Sequence, residues 1–222
     1  MGFKAVIFDL DGVITDTAEY HFLAWKQLAG ETNLSFSREE NEHLRGVSRR
    51  DSLLFILSLN DRTVDDATLQ QMMARKNDIY VEMLTHITPA DLLPGVFQLL
   101  NSLDDAHLPF SLGSASKNAI PVLTRLGIKE RFQVIADGHT PGQKKPAPDL
   151  FLYAASRMGI NPKSCLVVED AASGVQAAQS AGMAVLAIGP ANRFGKLLAH
   201  SRTFLRQNLE GLTAVDLNTL EE

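Results

Sequence analysis

Cysteine is nearly absent from this chain, one residue in 222, which excludes a disulfide framework within a monomer. The one thiol, Cys165, lies inside an apolar run and reads as a reduced core residue rather than a nucleophile. An excess of positive charge is missing too: 21 Lys and Arg face 26 Asp and Glu, a formal net charge of -5. A phosphate backbone demands concentrated cations, so nucleic acid is not expected as a partner. No apolar run approaches the length of a membrane span, and no charged segment precedes a hydrophobic one at the start. The expectation is a cytoplasmic monomer with no membrane partner. Repeats and low-complexity tracts are lacking as well. What remains, 45% hydrophobic and 21% charged residues, suffices to bury a core and to divide into a large and a small domain.

Against that background, Phe3 to Val13 stands out: an apolar run that ends in Asp9 and Asp11, one residue apart, and then Gly12. Short and apolar on both faces, the run reads as a buried parallel strand whose carboxyl end carries the two acids, where open α/β sheets place their ligands. Neighbouring carboxylates resist burial unless a cation or a proton is shared, so the pair implies Mg²⁺ or one raised pKa. A solvated Asp-Gly turn is the competing reading, and the motif alone does not separate the two.

Further clusters repeat the pattern. Cys165 to Val168 ends in Glu169 and Asp170, followed by Gly174 and a helix-like 175–181 closed by Gly182. Phe110 to Gly113 runs into Ser114, Ala115, Ser116, Lys117 and Asn118, and Lys144 and Lys145 precede Pro146. In a parallel sheet such strand ends share one edge. Strands are expected near 3–10, 110–113, 133–136, 165–168, 184–188 and 202–205 in a doubly wound α/β sheet. Between the first strand and Pro94 the pattern is helical only, with helices over 17–28, 37–44, 48–59 and 65–84. Residues 1–15 and 92–222 therefore read as the α/β core, and 16–91 as an inserted helical cap with two hinge linkers.

Within the helical block, Lys76 falls on the apolar face of Leu69, Met72, Met73, Tyr80, Met83 and Leu84. Snorkelling along a rim and a functional contact are both open readings. Thr17, His21 and Trp25 recur every four residues and form one helical stripe, which ordinarily packs. Ser48, with Asp51 three residues later, reads as a helix start, and Arg49 beside it suits a phosphate far from any metal. Arg50 is expected to face solvent.

These ordered clusters resemble the haloacid dehalogenase superfamily of phosphotransferases, and the segment Phe8 to His21, with Arg49 and Lys76, resembles its sugar-phosphate mutases. The resemblance implies a haloacid dehalogenase-like core with a helical cap, and phosphoryl transfer through an aspartyl-phosphate on Asp9. It implies Mg²⁺ held by Asp9, the Asp11 carbonyl and Asp170, with Glu169 direct or through water. Asp11 becomes the general acid and base, Ser114 and Lys145 serve the phosphoryl oxygens, and Thr17 and His21 join the catalytic set. Trp25, Arg45, Gly46, Val47, Ser48, Arg49 and Lys76, with Ala115, Ser116, Lys117 and Asn118, become substrate-binding. Because Pro121 fits only a first helical turn, the helix should start near Asn118 and leave the amides of Ser116 and Lys117 free for phosphate. The substrate implied is a hexose phosphate, with β-glucose 1-phosphate and glucose 6-phosphate interconverted through the 1,6-bisphosphate. A phosphatase of the same superfamily uses the same core residues, and a non-enzymatic sensor is a weaker competitor. Lys144 and Ala171 depart from the usual pattern, where glycine and a polar residue are common.

Overall fold

A computed structural model describes residues 2–44 and 47–220. The backbone divides into two compact units, Met1–Asp16 with Thr88–Glu222, and the inserted Thr17–Ile87. In the first, six parallel strands β1 (Ala5–Phe8), β2 (Phe110–Gly113), β3 (Val134–Ala136), β4 (Cys165–Glu169), β5 (Ala184–Ile188) and β6 (Thr203–Arg206) lie in the order β3-β2-β1-β4-β5-β6. β1 is central, with Ile7 in register with Ser111 on one side and Val167 on the other. Both β1 and β4 are buried throughout, which is why neither shows polar alternation: a parallel strand covered on both faces has no wet side. β1 stops at Phe8, earlier than the expected 3–10, because the chain turns there: the Leu10 carbonyl accepts the amide of Ile14 at 2.9 Å.

The inserted unit is helical: α1 (Ala18–Glu31), α2 (Arg38–Asn41), α3 (Arg49–Leu59) and α4 (Asp66–Leu84). α1 packs on α4, burying Phe22, Trp25 and Leu28 on one and Leu69, Met72, Ile79 and Tyr80 on the other. Each large apolar side chain so buried contributes about 1.5–3 kcal/mol. Asp65 caps α4 by accepting the Thr68 amide at 2.7 Å, and a Ser37–Glu40 capping box starts α2. The helix expected over 37–44 is a single α turn that tightens into a 3-10 turn, Glu42–Leu44, with none of its residues buried. Without an apolar face to pack, that segment has no reason to extend.

Helices of the sheet unit follow the strands: α5 (Val96–Asp105), α6 (Ala119–Arg125), α7 (Asp149–Met158), α8 (Ala172–Ser180) and α9 (Ala214–Asn218). Ala5 and Ile7 enter a core with Phe151, Ala154 and Ala155 of α7 and Val175 and Ala178 of α8. Phe8, one residue on and so facing the other way, meets Phe110 and Phe132 edge to face at 6.1 and 6.5 Å. Residues 88–91, expected among the linkers, fold with the sheet unit: Thr15 bridges to Leu92 and its hydroxyl donates to the Asp91 carbonyl at 2.7 Å. Cys165 is fully buried, and burial pushes its thiol up to about 11. Among the described residues, no helix is long and apolar enough to cross a membrane.

Candidate active site

Asp9 follows β1 directly, and its amide donates to the Val168 carbonyl at 2.9 Å. That register sets Asp9 beside the end of β4, where Glu169 and Asp170 stand. All three carboxylates are buried, Glu169 to 1% exposure, and each offers an oxygen within 4.8 Å of the others. Three hard oxygen donors so close fit a divalent cation such as Mg²⁺. The turn after β1 is shaped for this approach. Gly12 takes φ +78°, and a Cβ there would run into the Asp170 carboxylate. Asp11, half-buried, forms a bridge with Thr15 across the same turn.

Lys145 arrives from the loop before α7. Its Nζ donates to Asp9 Oδ1 at 2.6 Å and to Glu169 Oε2 at 2.7 Å, over the ring of Phe151 at 4.7 Å. Burial alone pulls its ammonium down, but the Asp9 and Glu169 carboxylates outweigh that and raise it. Glu169 Oε1 also accepts the amides of Asp170 and Ala171 at 3.1 and 3.0 Å. Burial, then the adjacent Asp9 carboxylate, pushes the Glu169 carboxyl up, with Lys145 pulling against them.

Ser114, at the end of β2, is buried, and its amide donates to the Ala136 carbonyl at 2.9 Å. Its hydroxyl oxygen accepts the Ser116 amide at 3.1 Å, and Ser116 Oγ accepts the Asn118 amide at 3.2 Å. The expectation of a free Ser116 amide is therefore corrected. Two successive side-chain turns consume these amides before α6 begins at Ala119. Ala115 and Lys117 are exposed. Lys144 is exposed as well and donates to the Gly138 carbonyl at 3.1 Å. Arg193 was not anticipated. It follows β5, and its Nη1 donates to both the backbone carbonyl and Oδ2 of Asp170, at 3.1 and 3.2 Å.

In the helical unit, the stripe of α1 faces α4. Thr17 and Trp25 are buried and His21 half-buried. The His21 ring stacks on Tyr80 with centroids 4.1 Å apart, and its Nδ1 lies 2.7 Å from Lys76 Nζ. An ammonium only donates, so Nδ1 accepts and the ring proton sits on Nε2. Burial holds the His21 imidazole well below its ordinary value, Lys76 and Arg49 adding to the effect. Lys76 is 2% exposed, over the rings of Trp25 at 4.9 Å and Tyr80 at 4.7 Å. The snorkelling reading fails because the ammonium itself is enclosed. Arg49, half-buried, donates to Asn77 Oδ1 at 2.8 Å. Ser48 caps α3, accepting the Asp51 amide at 3.2 Å and donating to the Asp51 carboxylate at 2.6 Å. Val47 is exposed, and Arg50 is exposed and pairs with Asp66 at 3.1 Å. Arg45 and Gly46 lie outside the described residues.

An open parallel sheet that gathers two acid pairs, a buried lysine and a hydroxyl at its strand ends is an enzyme's arrangement, built for an anionic group beside a hard cation. The chain belongs to the haloacid dehalogenase-like hydrolases, whose family model matches residues 3–182, and its chemistry is phosphoryl transfer. It is 46% identical to a β-phosphoglucomutase of Bacillus subtilis (strain 168) over 84% of this chain and 83% of that protein. It is 31% identical to the fructose-1-phosphate phosphatase YqaB of Escherichia coli (strain K12) over 82% and 94% of the respective chains. A crystal structure of β-phosphoglucomutase from Clostridium difficile superimposes with a TM-score of 0.87 at 37% identity, covering 95% of this chain and 93% of that one.

Proposed function

We propose that this protein interconverts β-glucose 1-phosphate and glucose 6-phosphate through the 1,6-bisphosphate. The observation that carries this reading is the Lys145 ammonium bridging Asp9 and Glu169 beside the cluster that Asp170 completes. Similarity to β-phosphoglucomutases favours the mutase over a phosphatase.

Asp9 is the nucleophile: its carboxylate attacks phosphorus and becomes an acyl phosphate as the sugar oxygen departs. Lys145 holds that carboxylate in place and, with its pKa raised, remains cationic while charge gathers on the equatorial oxygens. Ser114 donates its hydroxyl proton to one of those oxygens. Asp11 protonates the leaving sugar oxygen and deprotonates the incoming hydroxyl. Asp9, the Asp11 carbonyl and Asp170 would hold Mg²⁺, with Glu169 a ligand directly or through water. When bound, the ion would neutralise phosphoryl charge. Arg49 and Lys76 in the helical unit, and Lys117 and Asn118 in the sheet unit, are each assigned to sugar-phosphate binding, with His21 and Trp25 supporting Lys76. The working form in this reading is a cytoplasmic monomer acting on a small molecule.

The test is product analysis. Wild type with Mg²⁺, β-glucose 1-phosphate and catalytic bisphosphate should yield glucose 6-phosphate in excess of inorganic phosphate, and Asp9→Asn should reduce turnover to background. Stoichiometric phosphate release would establish the phosphatase instead.

A further inference from the structure

We infer that Arg193 is a positioning residue for the metal site, setting the carboxylate of Asp170 for the divalent cation. The inference rests on the metal assignment above and concerns a residue that neither the acid pairs nor the lysine points to. One nitrogen, Nη1, contacts both the backbone carbonyl and the carboxylate of Asp170. Side chain and main chain are thereby tied to the same donor, and the carboxylate cannot rotate without losing a charge-assisted bond. Gly12 closes in on the same oxygen, Oδ2, leaving no space for even a Cβ against that carboxylate. A glycine turn and a guanidinium thus both close on the Asp170 carboxylate.

The chain around Arg193 is shaped for this contact. Gly189, buried at the end of β5, takes φ +120°, and a Cβ there would stand 2.9 Å from Arg193 Nη1. The glycine both permits the turn and clears room for the guanidinium. A 3-10 turn, Ala191–Arg193, then brings the side chain back toward β4, and Phe194, 3% exposed, anchors the turn in the core. The Arg193 side chain keeps 31% of its surface exposed, so its charge is not a desolvated burden. What it supplies is geometry. Partners that orient a metal ligand commonly change metal affinity 10- to 100-fold when removed.

Direct Mn²⁺ titration of the intact protein, read by the relaxation of water protons, tests this without reference to turnover. Arg193→Met keeps the length and packing but has no donor, and should weaken Mn²⁺ binding about tenfold with a melting temperature in metal-free buffer close to wild type. Arg193→Lys, which restores one donor, should recover most of the loss. Asp170→Ala serves as the reference: if it binds Mn²⁺ as wild type does, the metal assignment itself is wrong. If Asp170→Ala loses the ion while Arg193→Met binds it as tightly as wild type, or more tightly, the positioning role alone is overturned. A lower melting temperature with unaltered Mn²⁺ affinity would also overturn it, marking Arg193 as a packing residue.

Discussion

Each unit of the molecule buries one lysine ammonium over aromatic rings, and the two are compensated differently. Lys145, in the sheet unit, donates to two carboxylates. Lys76, in the helical unit, lies against Trp25, Tyr80 and the Nδ1 of His21. A carboxylate pair secures a cation across the whole neutral range. An imidazole neighbour is itself titratable, so its unit inherits sensitivity to pH. In the function proposed above, the contrast separates a reaction centre, whose charge must not vary, from a recognition site, where charge is coupled to surroundings.

The largest expected effect comes from breaking the first lysine. Lys145→Met should lower kcat by about 10²–10³-fold, the typical cost of removing a preorganised charge-stabilising donor. The loss should appear with sugar bisphosphate and with a minimal donor such as acetyl phosphate alike, measured by single-turnover formation of the aspartyl-phosphate. Lys76→Met sharpens the comparison: it should cost about 1.5–3 kcal/mol of productive sugar-phosphate binding, one charge-assisted contact, and leave reaction with acetyl phosphate near wild type. Equal losses on both donors would remove the distinction between the two lysines.

The smallest effect is on stability. His21 is held below its ordinary pKa by burial first, then by Lys76 and Arg49, so below about pH 6.5 the unfolded chain binds a proton that the folded chain refuses. Stability contributed by this group is complete above that pH and is lost as the pH falls toward the depressed value. Urea unfolding followed by the fluorescence of Trp25, the single tryptophan, should show a lower midpoint at pH 5.5 than at pH 7.5. His21→Gln should lessen the difference, and an undiminished slope in that variant would assign the effect to other groups.

How much of this was legible in the sequence follows from where each signal is stored. The strands of the sheet and the acids at their ends are local: an apolar run followed by Asp9 or by Glu169 and Asp170 announces both the element and its carboxyl edge. Helix starts such as Ser48 are local too. The bond from Lys145 to Asp9 spans 136 positions, and only the convergence of strand ends in a parallel sheet hinted at it. Arg193 lies 23 positions beyond Asp170, in a glycine- and proline-containing turn with no helix or strand periodicity, so nothing in its neighbourhood marked it. Lys76 was visible as misplaced on an apolar face, but whether its ammonium escapes to solvent depends on the helix packed against it. The engaged amide of Ser116 was missed because serine side chains compete for backbone donors over two residues, a choice that composition does not reveal.

The place of β1 in the sheet has a consequence for how the protein is made. β1 is central, yet its neighbours β2 and β4 begin only at Phe110 and Cys165. A ribosome therefore releases the strand preceding Asp9 well before either flank that will pair with it, whereas 17–87 emerges as one uninterrupted stretch whose α1 and α4 pack on each other. Helices with nearby partners form ahead of parallel strands that must close long loops. During synthesis, then, the helical unit is an early island, and an exposed, fully apolar β1 waits for residue 169 before the acids can meet. Unpaired apolar strands of this kind are what make nascent chains prone to aggregate.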